Sequence, residues 1–274
     1  MIGSILAERE LEAPAPFKRT SNKIHTAPGA RAYGFRTALV GGVTTFALTV
    51  PALIEALGER WLSGGWINIM FRRPIYPGER MAIRVIDREQ RDTCAVRVGT
   101  PWTAAAVLGN AGLGRASWEP GFNETEFAPS RGESFRRPRL ELSTAPVGDE
   151  LRRLVPEFTA TAVRDVSSTR WRSDDPRFIG AGPLIHPASI ALLGISLLQN
   201  SFRYGRPSVH VRTLLEILEP LPAEPGYALT GRLIAAWARG DDHYAQTDGT
   251  LFRSNGRAVA RIRHTNIFRV ARSR

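Results

Sequence analysis

Apolar side chains recur at three- and four-residue steps in an early part of the chain, between residues 38 and 58. This spacing predicts a helix with one apolar face, and Pro51 inside it predicts a kink. Runs rich in apolar and β-branched residues follow and predict four strands, with Pro77-Gly78 marking the first reversal. The predicted strands cover residues 65–72, 79–87, 92–99 and 102–108.

The second half of the chain repeats this order. Residues 184–198 are almost continuously apolar, which predicts a helix buried on all sides. Residues 146–166 are expected to supply a first strand, and Asn255-Gly256 predicts a tight hairpin turn later on. Four further strands are predicted at residues 208–218, 227–238, 243–252 and 257–268.

A helix followed by a meander of strands, occurring twice, predicts an α+β fold in which each sheet wraps a central helix. We expect one unit at residues 1–112 and a second at 146–274. Residues 113–145 are rich in Gly, Pro, Ser and charge, and we interpret them as a linker. Two such sheets placed side by side would form one continuous sheet and remove two exposed edges.

Composition narrows the function classes. The formal net charge of +11 comes from scattered arginines without interleaved aromatic residues, so we predict a charged surface and no nucleic-acid partner. The single cysteine, Cys94, excludes an internal disulfide, and no His, Asp or Glu group has metal-ligand spacing. No apolar run reaches the ~20 residues of a membrane span, and no secretory signal is evident. We therefore expect a cytoplasmic protein without a metal or other cofactor.

Asn22 and His25 form the most chemically suggestive pair, because Gly41-Gly42 follows them at the start of the predicted helix. An imidazole titrates near working pH and suits acid/base catalysis, although a histidine that only bonds a loop is the plain alternative. Exposed N–H groups at a helix start suit a developing oxyanion, and the glycines equally suit a tight turn.

Three segments resemble the MaoC-like hydratase branch of the hot-dog superfamily. Ser21-Asn22-Lys23-Ile24-His25 is similar to the end of the family's Asp-x-Asn-Pro-(Ile/Leu)-His motif. Ala38-Leu39-Val40-Gly41-Gly42-Val43 resembles the Ile-Val-His-Gly-Met segment at its central helix, and residues 71–78 resemble its Phe-x-x-Pro-Val-x-x-Gly-Asp strand exit. The likeness covers most of residues 15–90 and, more faintly, 180–270.

This resemblance implies a double hot-dog fold and hydration of an enoyl thioester, or dehydration of a 3-hydroxyacyl thioester, carried by coenzyme A or an acyl carrier protein. By position, it implies that His25, Asn22 and Gly42 are catalytic. We expect a substrate-binding surface around them, with a second double hot-dog chain as a homodimer partner. That surface comprises Gly41, Val43, Thr44, Phe35 and Arg72; Tyr33, Trp66 and Met70 are further candidates for an acyl tunnel or for the core.

The chain departs from the family pattern at the acid. Thr20 occupies the position of the motif aspartate, and a threonine hydroxyl cannot act as a general base near neutral pH. In the second half Phe178 takes the histidine position, whereas His186 and Pro187 take the helix start, so one active groove per chain is expected. We expect His186 to have a structural role and His264 to be a hydrogen-bonded core histidine.

Two alternatives stay open. The chain could be an acyl-CoA thioesterase, because hot-dog thioesterases use a helix carboxylate and Glu55 is the only acid inside the first predicted helix. The chain could also bind acyl thioesters without turnover, or serve as a scaffold for an active hot-dog chain.

Overall fold

The structure, a computed structural model, describes residues 3–18, 20–88, 92–100, 104–118, 121–127, 136–205 and 207–271. Five strands come from the first half: β1 (Ile5–Glu12), β2 (Gly65–Phe71), β3 (Arg80–Asp87), β4 (Thr93–Gly99) and β5 (Val107–Leu113). Its helices are α1 (Ala27–Arg31), α2 (Gly42–Leu57) and α3 (Trp61–Gly64), preceded by a 3₁₀ turn at Lys23–His25.

The second half contains five strands in the same order. They are β6 (Glu150–Leu154), β7 (Val209–Ile217), β8 (Ala228–Arg239), β9 (Asp242–Phe252) and β10 (Ala258–Arg269). Its helices are α4 (Ala160–Thr169), α5 (Pro176–Ile179) and α6 (Pro187–Ser201), and a 3₁₀ turn at Leu142–Thr144 precedes β6.

All ten strands form one antiparallel sheet in the order β1-β3-β4-β5-β2-β7-β10-β9-β8-β6. Counted from either end, each strand has an equivalent in the other half, so the order is that of two related units. The two halves join where β2 pairs with β7, from Trp66 opposite Glu216 to Met70 opposite Arg212. The prediction that two inner edges would be lost in a continuous sheet is confirmed.

The core lies between the sheet and the two long helices. Helices α2 and α6 contact each other and several strands, and the side chains of Phe46 and Leu53 on α2 and Ile190 and Leu197 on α6 are fully buried. Pro51 lies inside α2 as predicted. Among the described residues, none of the helices combines the length and hydropathy needed to cross a lipid bilayer.

Two strands of the first half differ from the sequence-based prediction. Strand β1 was not predicted, because only Ala7 of its eight residues is buried and its charged residues conceal the alternation. The strand predicted at 102–108 lies at Val107–Leu113, with residues 101–103 outside the described ranges. The end of this strand was not predicted because Gly109 and Gly112 have no side chains that could contribute to an apolar pattern. At each of them, an added Cβ would lie 2.6 Å from a neighbouring backbone atom.

The segment predicted as a first strand at 146–166 is a strand only at Glu150–Leu154 and becomes helix α4 from Ala160. Thr159 starts this helix by accepting a hydrogen bond from the Ala162 N–H at 3.3 Å. Only Val163 and Ser167 of α4 are buried, so the sequence has no apolar stripe that would predict this helix.

The described part of the predicted linker is docked on the sheet. The backbone N–H of Ala116 donates to Glu216 Oε1 at 3.0 Å, and that of Asn123 donates to Asp248 Oδ2 at 2.7 Å. Asp248 is fully buried and also pairs with Arg263 at 2.6 Å. The limits of the two units at residues 112 and 146 stay a prediction.

Candidate functional site

A cavity of about 770 Å³ opens at the start of α2, on the line where the two halves meet. The loop around Asn22, the chain leaving β2, helix α6 and strand β7 form its walls. Every residue proposed for the site from the sequence lines it: Asn22, His25, Phe35, Gly41, Gly42, Val43, Thr44 and Arg72. Met70 also lines it, whereas Tyr33 and Trp66 lie elsewhere.

One ring nitrogen of His25 makes a hydrogen bond, and the other lies near Gly41. Nδ1 lies 2.8 Å from the carbonyl oxygen of Leu39, so it carries the proton and donates it there. Nε2 is then unprotonated, and a Cβ built on Gly41 would lie 3.8 Å from it. Burial lowers the pKa of His25 below 6.5 and the charge of Arg170 lowers it further, although the bond to Leu39 opposes them. His25 is therefore a neutral base at pH 7.

The start of α2 presents backbone donors without a cap. Gly41 is the N-cap residue and has no side chain to accept a hydrogen bond; the first helical bond joins Thr45 N to Gly41 O at 2.9 Å. The N–H groups of Gly42, Val43 and Thr44 have no acceptor within the described part of the chain. Such donors and the helix dipole suit a negatively charged oxygen.

Asn22 connects the loop that carries His25 to the second half of the chain through hydrogen bonds. Its Nδ2 donates to Ser208 O at 2.7 Å, and the Ser208 N–H donates back to Asn22 Oδ1 at 3.3 Å. Thr20 Oγ1 accepts from the backbone N–H of Asn22 at 3.2 Å. The Asn22 amide thus holds the loop that carries His25 against the start of β7.

Thr20 lines the cavity, and none of the described residues that line it is an aspartate or a glutamate that could act in place of the missing acid. Glu55, the acid considered for a thioesterase, does not line it; its side chain is 49% exposed and pairs with Arg9 at 3.1 Å. Glu55 is therefore not placed to act as a catalytic carboxylate in this cavity.

A row of hydrogen-bonded side chains behind Gly42, buried except for the half-buried His210, was not recognised from the sequence. His264 Nε2 lies 2.8 Å from Asn266 Oδ1, His264 Nδ1 lies 2.9 Å from Thr213 Oγ1, and that hydroxyl lies 2.7 Å from His210 Nε2. The prediction that His264 is a hydrogen-bonded core histidine is confirmed. Burial and the neighbouring His264 ring lower the pKa of His210 well below 6.5, so both rings are neutral at pH 7.

These hydrogen-bonded side chains explain why residue 42 is glycine. A Cβ on Gly42 would lie 2.7 Å from His210 Nδ1 and 3.2 Å from two of its carbons. The His210 ring cannot easily retreat, because Thr213 holds it and Phe71 and His264 lie against it at centroid distances of 4.3 and 4.4 Å. The histidine on β7 and the glycine on α2 are 168 positions apart, so only the fold reveals the pairing.

Helix α6 forms an amphipathic wall of the cavity. Leu192, Ile195, Ser196 and Gln199 line it at helical spacing. Its apolar part suits an acyl chain, and its polar part lies one turn further along. Arg170, which follows α4, also lines the cavity.

The equivalent position in the second half is closed. His186 Nδ1 accepts from the Ala188 N–H at 3.1 Å, and Pro187 has no N–H to offer. The rings of Phe178 and His186 lie 4.5 Å apart, and burial lowers the pKa of His186 to about 3. His186 therefore caps its helix, and its structural role is as predicted. In the described ranges, no group of His, Cys, Asp and Glu side chains could hold a metal ion.

Comparison with solved structures confirms the predicted double hot-dog fold. A protein named as a MaoC-domain dehydratase from Chloroflexus aurantiacus is 13% identical with a TM-score of 0.57, covering 99% of this chain and 96% of its own. A conserved double hotdog protein from Mycobacterium tuberculosis is 12% identical with a TM-score of 0.58, covering 97% and 96%. A protein named as an oleoyl thioesterase from Lactobacillus plantarum is 8% identical with a TM-score of 0.53, covering 97% of both chains. No protein-family model and no curated protein sequence matches this chain.

Proposed function

We propose that the chain binds an enoyl or 3-hydroxyacyl thioester in this cavity and adds or removes water, with His25 as the acid/base. The proposal rests on one observation: the unprotonated Nε2 of His25 and the uncapped start of α2 belong to the same cavity. The thioester oxygen would accept from the N–H groups of Gly42, Val43 and Thr44, and the acyl chain would lie along α6.

One base can complete the reaction without the missing carboxylate. In hydration, His25 Nε2 takes a proton from water as the water oxygen bonds to C3, and the C2=C3 electron pair moves into the thioester to give an enolate. The helix N–H groups stabilise the enolate oxygen. The protonated Nε2 then returns its proton to C2, and the bond from Nδ1 to Leu39 O holds the ring in place throughout.

The carrier of the thioester is proposed to be coenzyme A or an acyl carrier protein. Arg72 and Arg73 line the cavity and are exposed, and arginine forks bind phosphate well. A homodimer and a cytoplasmic location stay predictions from the sequence.

The purified protein is expected to consume crotonyl-CoA or longer enoyl-CoA substrates, measured as loss of enoyl absorbance. Because one base acts on one face of the double bond, hydration in deuterated water should place the oxygen and deuterium on the same face. Thiol release from saturated acyl-CoA would favour a thioesterase instead. Tight acyl-CoA binding without either reaction would contradict the enzymatic proposal and favour a binding or scaffold protein.

The pH dependence of hydration follows from the pKa of His25. The base must be neutral, and burial lowers its pKa, so kcat/KM should fall as the pH drops through a midpoint below 6.5. Rate measurements from pH 4.5 to 8 at constant ionic strength would check this. An acidic limb centred above pH 7 would contradict the assignment of His25 as the base.

A further inference from the structure

Arg170 is a cation in the cavity wall that no described carboxylate neutralises. Its Cζ lies 5.0 Å from the ring centre of Phe17 and 4.8 Å from that of Trp171, so the guanidinium has two aromatic neighbours. Its Nε is buried without a hydrogen-bond partner. Within the described ranges its guanidinium makes neither a hydrogen bond nor an ion pair.

Three other partly buried arginines of this chain are neutralised by carboxylates, whereas Arg164 and Arg212 bond only to neutral acceptors among the described residues. Arg253 pairs with Glu219 at 3.0 Å, Arg261 with Glu216 at 3.1 Å and Arg263 with Asp248 at 2.6 Å, and their side chains are 16–26% exposed. A charge removed from water without a partner costs free energy, which a ligand of opposite charge recovers on binding. The contrast indicates that the partner of Arg170 arrives with the ligand.

The position of Arg170 indicates which part of the ligand carries the anion. Arg170 and His25 line the same cavity, and the charge of Arg170 contributes to lowering the pKa of His25, so the guanidinium lies on the side of the cavity where the reaction is proposed. The phosphates of coenzyme A or of a carrier arm are separated from the thioester by the pantetheine chain. Exposed arginines suited to those phosphates, Arg72, Arg73 and Arg239, line the cavity separately.

We propose that the acyl group of the ligand carries a carboxylate and that Arg170 binds it. This inference rests on the proposed acyl-thioester site and specifies its substrate class: monothioesters of short dicarboxylic acids. Arginine and carboxylate match in geometry as well as charge, and the absence of acidic residues from the described cavity wall leaves a bound carboxylate unopposed.

Binding of matched saturated thioesters tests the proposal without requiring turnover. Succinyl-CoA and butyryl-CoA have the same number of carbons and differ in a carboxylate or a methyl at the end, as do glutaryl-CoA and valeryl-CoA. Calorimetric titration of the wild-type protein should show at least tenfold tighter binding of the carboxylated member in one pair. Arg170→Met should reduce that preference to within about twofold, and Arg170→Lys should retain part of it.

Arg72→Met is the matched control, because it removes an exposed arginine of the same cavity. It should weaken both members of a pair equally, and thermal unfolding would verify that each variant is folded. Equal affinity within both pairs for the wild-type protein would overturn the carboxylate inference and leave the acyl-thioester site standing, as would equal weakening of both members by Arg170→Met. No binding of any of the four thioesters would sink the proposed function and this inference together.

Discussion

Replacing His25 with alanine is expected to lower kcat/KM for enoyl-thioester hydration by about 10²- to 10⁴-fold, the usual contribution of a positioned acid/base. In the proposed mechanism the same nitrogen both accepts and returns the proton, and the described cavity wall has no carboxylate to replace it. The ring also donates to Leu39 O, so thermal unfolding must accompany the kinetics to separate a lost base from a loosened loop.

His243→Ala is the matched control for this substitution. His243 lies on β9, outside the cavity, with its ring centre 5.8 Å from that of Phe268. Its removal should leave kcat/KM within about twofold of the wild-type value. Equal activity of the wild-type protein and His25→Ala would show that another group performs the chemistry.

Gly42→Ala is expected to cost about 1–3 kcal/mol of stability, the usual range for an overpacked core, and to lower activity at least tenfold. The added methyl would lie 2.7 Å from His210 Nδ1, in a ring held by Thr213, so the start of α2 must shift. A shift of about 1 Å in the donors that hold the thioester oxygen is enough to reduce the rate substantially. Thermal unfolding and the hydration assay would measure the two effects.

Two neighbouring substitutions separate the causes. A methyl added by Gly64→Ala meets nothing within 4 Å, so this variant reports the general effect of replacing a helical glycine. A methyl added by Gly41→Ala would have its nearest contact at 3.5 Å, on His25 Cε1, and should leave stability unchanged while obstructing the cavity beside Nε2. Wild-type stability and activity in Gly42→Ala would contradict the role given to His210.

The parts of the site that were predictable from the sequence are local. Asn22, His25 and Gly41-Gly42 are close in the chain, and the helix that starts at Gly42 has a clear apolar period. The aromatic and cationic residues on the other wall were not predictable. Arg170 and His210 reach the cavity from the second half of the chain. Strand pairing places Phe71 and His264 against His210, and Arg170 meets Phe17 from 153 positions earlier in the chain.

The fold was predictable for a related reason. A repeated pattern of one helix and several strands is visible wherever the strands are rich in apolar residues, as in residues 79–87. It fails at the sheet edge, where β1 is mostly exposed, and at β5, where glycines replace side chains. Helix α4 escaped prediction because it buries only two residues.

A crystal structure of the protein with butyryl-CoA would test most directly whether one carbonyl group meets both His25 and the start of α2. Our account predicts the thioester oxygen about 2.7–3.1 Å from backbone nitrogens among Gly42, Val43 and Thr44, with C2 and C3 facing His25 Nε2. An acyl group bound away from the start of α2, or a carbonyl oxygen held by other donors, would contradict it.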